Sequence, residues 1–229
     1  DHYNLGGNNI EAWTEFASDA ILMNDTISDS VWVYASSSSG PNITEIFDNF
    51  TNCSTAWDCE LVDCAMQNGW HNVSNGSGDD IDWRTHSGAT GSGNTGPSGD
   101  HTTGNGKYLY LEGSGPCVNV TARLHSPCID LSGVNQAEMT FWYHAYGAAI
   151  GELHVDVIAD GALIEDAMTP VIGEQGDLWI QASVDLSPFS NQQIVVVIPG
   201  HLVTTASKMS ESFGPTYFPT GSILSRLGP

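Results

Sequence analysis

The chain has 229 residues, 27 of them acidic and 5 basic, giving a formal charge of −22 at pH 7 and a pI near 4.2. That balance excludes nucleic acid and anionic membrane surfaces as partners, because approach to a phosphate layer is repelled rather than steered. Calcium, sodium or a basic partner is the natural counter-charge, and the longest apolar run, Ile194 to Ile198, is far short of the roughly 20 residues of a spanning helix, so direct membrane insertion is not expected.

The sequence opens Asp1-His2-Tyr3 without a basic or apolar leader, and reads as a mature product or a piece of something longer. In residues 1–46 the run Val31-Trp32-Val33-Tyr34 leads into Ser36-Ser37-Ser38-Ser39-Gly40-Pro41. A β-rich run followed by such a cluster predicts the last strand of a preceding domain and a linker, with a boundary near 42–46. An amphipathic helix over Ile10 to Met23 is the competing local reading, since Trp13, Phe16, Ala20 and Ile21 fall at helical spacing.

Beyond this point the pattern has a period of two. In Asp79 to Trp83 it sets Ile81 and Trp83 on one face and Asp80 and Asp82 on the other. Tyr108 to Glu112 and Thr121 to Ser126 continue as strands. From Glu138 to Tyr146, Met139, Phe141, Tyr143 and Ala145 alternate with Trp142, His144 and Tyr146, so neither face is polar and a central strand is predicted. Leu153 to Ala159 and Leu178 to Leu186 alternate as half-buried strands. Short strands with Gly, Asn and Pro turns and no strong helix in the last 180 residues predict an all-β antiparallel sandwich of two sheets.

Between Ser87 and Gly106, 14 of 20 residues are Gly, Ser or Thr, which in isolation describes a flexible linker. The flanking Trp83 and Tyr108 favour equally a long loop inside one domain. Within it, Gly91-Ser92-Gly93-Asn94-Thr95-Gly96 matches a dinucleotide fingerprint, but Pro97 follows and neither the required strand nor the helix is present. No H-E-x-x-H or Gly-x-Ser-x-Gly motif occurs, so nothing calls for catalysis. The five Cys, at 53, 59, 64, 117 and 128, lack zinc-ribbon spacing and read as disulfides formed in an oxidising compartment, with one left over.

Taken in order, Asn68-Gly69-Trp70, Asp79 to Arg84, Gly93 to Thr102, Gly106 to Glu112, Ala122 to Cys128, Met139 to Gly147 and Ile150 to Leu153 closely resemble the MAM domain of meprin, a neuropilin-type receptor and receptor tyrosine phosphatase mu. The resemblance spans about residues 47–198. It implies a jelly-roll-like sandwich, extracellular and non-catalytic, used in adhesion, self-association or substrate positioning beside a protease. The Asp- and Asn-rich style is similar to bacterial members found in large secreted or surface proteins. Family disulfides make Cys117 and Cys128 the first candidate pair, with one further bridge among Cys53, Cys59 and Cys64. Sequons such as Asn52-Cys53-Ser54 and Asn119-Val120-Thr121 matter only in a glycosylating host.

The resemblance ends near residue 200, where Val197-Ile198-Pro199-Gly200-His201 replaces the family's closing Arg-Gly and acidic segment. Residues 201–229 are therefore expected to be a non-family tail, disordered or frame-shifted, leaving the sandwich without its last strand. For sites, Asp48, at a position where the family's first strand often carries an acid, together with Asp80 and Asp82 suggests a structural calcium or sodium ion, against a solvated acidic turn. The row Trp142, His144, Tyr146 suggests a sugar-stacking platform built on Trp142 and Tyr146, against packing beneath a second layer or loop. The expected function is recognition of protein or glycan at the cell surface, with homo-association as one form of it. The alternative is an accessory substrate-positioning or carbohydrate-binding domain of a secreted enzyme such as a metallopeptidase.

Overall fold

The computed structural model describes residues 42–51, 64–76, 79–112, 119–148 and 150–202, together with the backbone of four strands outside those ranges. In chain order the strands are β1 (Gly6–Trp13), β2 (Thr26–Val33), β3 (Ile43–Glu45), β4 (His71–Asn72), β5 (Arg84–Ser87), β6 (Lys107–Tyr110), β7 (Val120–His125), β8 (Ile129–Asp130) and β9 (Gln136–Ala145). They continue with β10 (Glu152–Leu153), β11 (Asp156–Ala159), β12 (Ala162–Ile164), β13 (Val171–Ile172), β14 (Gly176–Asp185), β15 (Gln193–Leu202), β16 (Tyr217–Phe218) and β17 (Gly221–Arg226). Every pairing is antiparallel, giving an all-β architecture as expected.

Two sheets make the sandwich. In one, β15 is the hub, bonded to β7, β8, β10 and β11, with β4 on β7, β12 on β11 and β13 on β10. In the other, β9 is the hub, bonded to β14, β16 and β17, with β3 on β17 and β6 and β5 beyond β16. The central role predicted for Glu138 to Tyr146 is thus what β9 plays. Its alternate residues Ala137, Met139, Phe141, Tyr143 and Ala145 enter one core with Ile194, Val196 and Ile198 of β15.

Trp83 lies at the middle of that core with no exposed surface, and its indole N–H donates to the Ile198 carbonyl at 3.1 Å. Burying an indole of this size stabilises the fold by about 3–5 kcal/mol, judged by truncation in other cores. Gly200 makes the fit possible. A Cβ there would lie 2.3 Å from Leu111 Cδ1 and 2.9 Å from Trp83 Cζ2, contacts that a packed interior does not accommodate.

The structure departs from the sequence reading at five places. Ile10 to Trp13 are strand, in a two-stranded sheet of β1 and β2, which rules out a helix beginning at Ile10; residues 14–25 lie outside the described ones. The boundary near 42–46 falls inside the sandwich, since β3 pairs with β17. Asp79 to Trp83 is an irregular segment rather than a strand, with the N–H groups of Asp80 and Ile81 both directed to the Thr121 carbonyl. A register shift between Gly176 and Trp179 turns Leu178 outward, 54% exposed, although Ile180 and Ala182 pack on the core as expected. The tail is not without structure: Tyr217–Phe218 pairs with β6 and β9, and Gly221–Arg226 runs between β3 and β9.

Candidate functional site: a loop folded over an aromatic sheet face

The Gly/Ser/Thr-rich segment belongs to the domain. Thr95 Oγ1 and the Gly96 N–H both donate to the Tyr146 carbonyl, at 2.9 and 3.0 Å, fixing the loop to the end of β9. Gly147, at φ +139°, is needed there, because a Cβ would lie 2.6 Å from Thr95 Oγ1. The other end is closed by Asp100. Its carboxylate accepts the N–H groups of Thr102, Thr103 and Gly106 and the Thr103 hydroxyl. Burial raises the Asp100 pKa, but these donors outweigh it and hold the carboxyl below the usual carboxylate range. The string Asp100-His101-Thr102-Thr103 carries the signature of such a turn, an Asp bonding backbone two and three residues on.

Between these anchors, His101 lies flat on Trp142, ring centroids 3.7 Å apart and planes 15° from parallel. Trp142 is therefore not an open platform. One face is occupied by the chain's own histidine, which corrects the expected role of Trp142 in ligand stacking and supports the packing alternative. Trp179 of β14 completes the layer, edge-on to His101 and 5.0 Å from His144. It also packs on Tyr108 and Tyr110, and the Tyr108 hydroxyl donates to the Gly88 carbonyl at 2.8 Å. This is a second small apolar cluster on the outer side of the β9 sheet. Burial lifts the Tyr108 pKa well above the ordinary phenol value and lowers that of His144, whose Nε2 lies 3.1 Å from Asp177 Oδ1. Tyr146, just past the strand, stays half-buried at the loop's edge.

The three carboxylates expected to share an ion do not converge. Asp48 accepts the Lys107 N–H at 2.8 Å and closes with Asp100 around Gly106. Asp80 accepts the Thr121 N–H and Asp82 the Cys64 N–H, at 2.9 and 2.6 Å. Each carboxylate is committed to backbone in a different neighbourhood, and among the described residues no three His, Cys, Asp or Glu side chains are grouped to hold a metal. Asp82 is 4% exposed, not on a solvent face with Asp80. Asp79 is fully buried beside it, with Oδ2 accepting the Arg123 N–H and Oδ1 without a partner. Desolvation, reinforced by the Asp82 charge, moves the Asp79 pKa up to about 7.

The proposed Cys117–Cys128 bridge is not formed. Cys128 is a free, half-buried thiol, 4.0 Å from Gln193 Oε1, while Cys117 lies outside the described residues, as do Cys53 and Cys59. Cys64 is disulfide-bonded. Its neighbourhood is held by Asn72, whose side-chain amide donates to the Cys64 and Trp83 carbonyls at 3.1 and 3.0 Å while its oxygen accepts the Trp83 N–H at 3.0 Å.

A family model described as "MAM domain, meprin/A5/mu" matches residues 47–210, past the point where the resemblance was expected to end. The chain is 32% identical over 148 residues to neuropilin-1a of Danio rerio, an alignment covering 64% of this chain and 15% of that protein. It is 37% identical over 114 residues to MAM domain-containing protein 2 of Homo sapiens, covering 49% and 16%. Among solved structures, the K1 cleaved adhesin domain of Lys-gingipain from Porphyromonas gingivalis superposes with a TM-score of 0.45 at 18% identity, covering 81% of this chain and 98% of that one. The chain thus spans about one sixth of the length of these curated relatives.

Proposed function

The chain belongs to the MAM family, and from that premise we propose that it is a non-catalytic recognition module of a larger secreted or cell-surface protein, contacting protein or glycan outside the cell. The observation that carries this reading is the loop of residues 87–106. A segment with the composition of a linker is instead anchored at both ends and stacked on the outer face of β9. That arrangement presents backbone and short polar side chains on a fixed scaffold, the usual way in which a rigid sandwich displays a binding loop. No helix among the described residues is long and apolar enough to cross a membrane. The strongly acidic surface favours basic or neutral partners over anionic ones.

Beads coated with the chain test this directly. Adhesion to animal or bacterial cells, or clumping of the beads with one another, is expected, and both are expected to weaken when residues 90–98 are replaced by Ala-Gly repeats. Beads that neither adhere nor clump, with the chain shown to be folded, contradict the proposal.

A further inference from the structure

The loop and the end of β9 also frame a pocket, and what it holds deepens the recognition reading, on which this inference rests. The pocket, of about 270 Å³, opens between residues 89–98, Tyr146 and Asp177. Its walls are fixed by three constraints. Thr90 Oγ1 donates to the Thr95 carbonyl and closes the loop on itself, Thr95 and Gly96 grip Tyr146, and the buried His144 orients the exposed Asp177 carboxylate. Within this frame Ser92, Asn94 and Ser98 line the pocket with no hydrogen bond to another described residue.

We infer that this pocket binds a single uncharged sugar residue. Pro97 and the half-buried Tyr146 supply apolar lining, and Asp177, Ser92, Asn94 and Ser98 supply both acceptors and donors, a mixture that suits a ring bearing hydroxyls on its rim and C–H groups on its faces. No lining residue is basic, so phosphate, sulfate and carboxylate ligands have no counter-charge. An ammonium group would use only acceptors, and the one carboxylate present already shares an oxygen with His144. The volume lies just below the roughly 300–1,000 Å³ of sites enclosing drug-sized ligands, which limits the occupant to about one ring.

The test is titration of the isotopically labelled chain with methyl glycosides of glucose, galactose, mannose, fucose and N-acetylglucosamine, up to about 50 mM, a range that reads millimolar dissociation constants. At least one glycoside is expected to give saturable amide shifts at Gly96, Ser98 and Asp177. Ser98→Trp, which fills the pocket from an exposed position, and Asp177→Asn are expected to weaken binding roughly tenfold or more, with the remaining spectrum unchanged. The inference is overturned if no glycoside shifts these amides, if the shifts persist in Ser98→Trp, or if N-acetyl-lysine amide shifts them and the glycosides do not. Bead adhesion that survives in Ser98→Trp while glycoside binding is lost leaves the recognition module standing without this site as its contact. Absent adhesion alongside intact glycoside binding does the reverse.

Discussion

His101 stacks on Trp142 at a centroid separation of 3.7 Å, joining the middle of a glycine-rich loop to the hub strand of a sheet. Aromatic pairs of this kind contribute about 0.5–1.5 kcal/mol beyond their buried area, enough to favour the docked loop several-fold. His101→Ala is expected to leave the sandwich folded and to accelerate proteolytic cleavage within residues 87–106 several-fold, as mapped by mass spectrometry. Trp142→Ala should expose the same sites. A loop equally resistant in both variants would show that the stack is incidental.

Asn72 links three segments through one carboxamide, reaching Cys64 and Trp83 from β4. Truncating it removes all three hydrogen bonds in a partly buried setting, at about 0.5–1.5 kcal/mol net for each. Urea denaturation of Asn72→Ala should show a loss of about 2–4 kcal/mol. Asn72→Asp should be no better, because it retains the acceptor but loses both donors. A loss below about 0.5 kcal/mol, the scale of ordinary surface substitutions, would mean that these bonds are replaced by water.

Asp79 makes stability depend on pH in a direction opposite to most carboxylates. Its folded pKa of about 7 exceeds the ordinary 3.8, so the native state holds the extra proton between these values. The stabilisation this confers is complete below about pH 4 and is lost as pH rises through about 7. At about 1.4 kcal/mol per pKa unit the two ends differ by on the order of 4 kcal/mol. His125, pushed down to about 3 by burial and by the neighbouring His71 and Arg123, works the other way, costing stability as pH falls below 6.5. The two slopes offset each other in the native chain, so the variant is the informative comparison. Asp79→Asn imitates the protonated acid, and its stability relative to the parent chain is expected to rise between pH 4 and pH 8. A difference independent of pH would contradict the burial argument.

Cys128 carries a thiol that burial and Asp130 make less acidic than usual. Maleimide labelling of the native chain followed by peptide mapping should find the label on Cys128, slowly at pH 7 and faster at pH 9. Cys128→Ser should change stability by less than about 0.5 kcal/mol, whereas loss of a native disulfide typically costs about 2–5 kcal/mol.

The sandwich was legible because period-two alternation in β9, β7 and β14 follows directly from the pleat, and because Trp83 and Phe141 leave no other place to bury. The apolar character of both β9 faces also signalled a covering layer. What covers it was not legible, since His101 acts through a stack between residues 41 positions apart in the chain. The acidic segment was misread for a related reason. Alternation assigns Asp82 to water, but the irregular backbone from Asp79 to Trp83 turns it inward to satisfy the Cys64 N–H. The tail defeated pattern reading because Gly221–Arg226 joins β9 by backbone pairing, which leaves little trace in side-chain periodicity.

Whether the loop of residues 87–106 is a folded part of the sandwich is measured most directly by amide hydrogen exchange. Gly96, bonded to Tyr146, and Thr102, Thr103 and Gly106, bonded to Asp100, are expected to exchange at least tenfold more slowly than an unstructured peptide of the same sequence, with Gly96 losing protection in His101→Ala. Exchange of all four amides at the unstructured rate would contradict a folded loop.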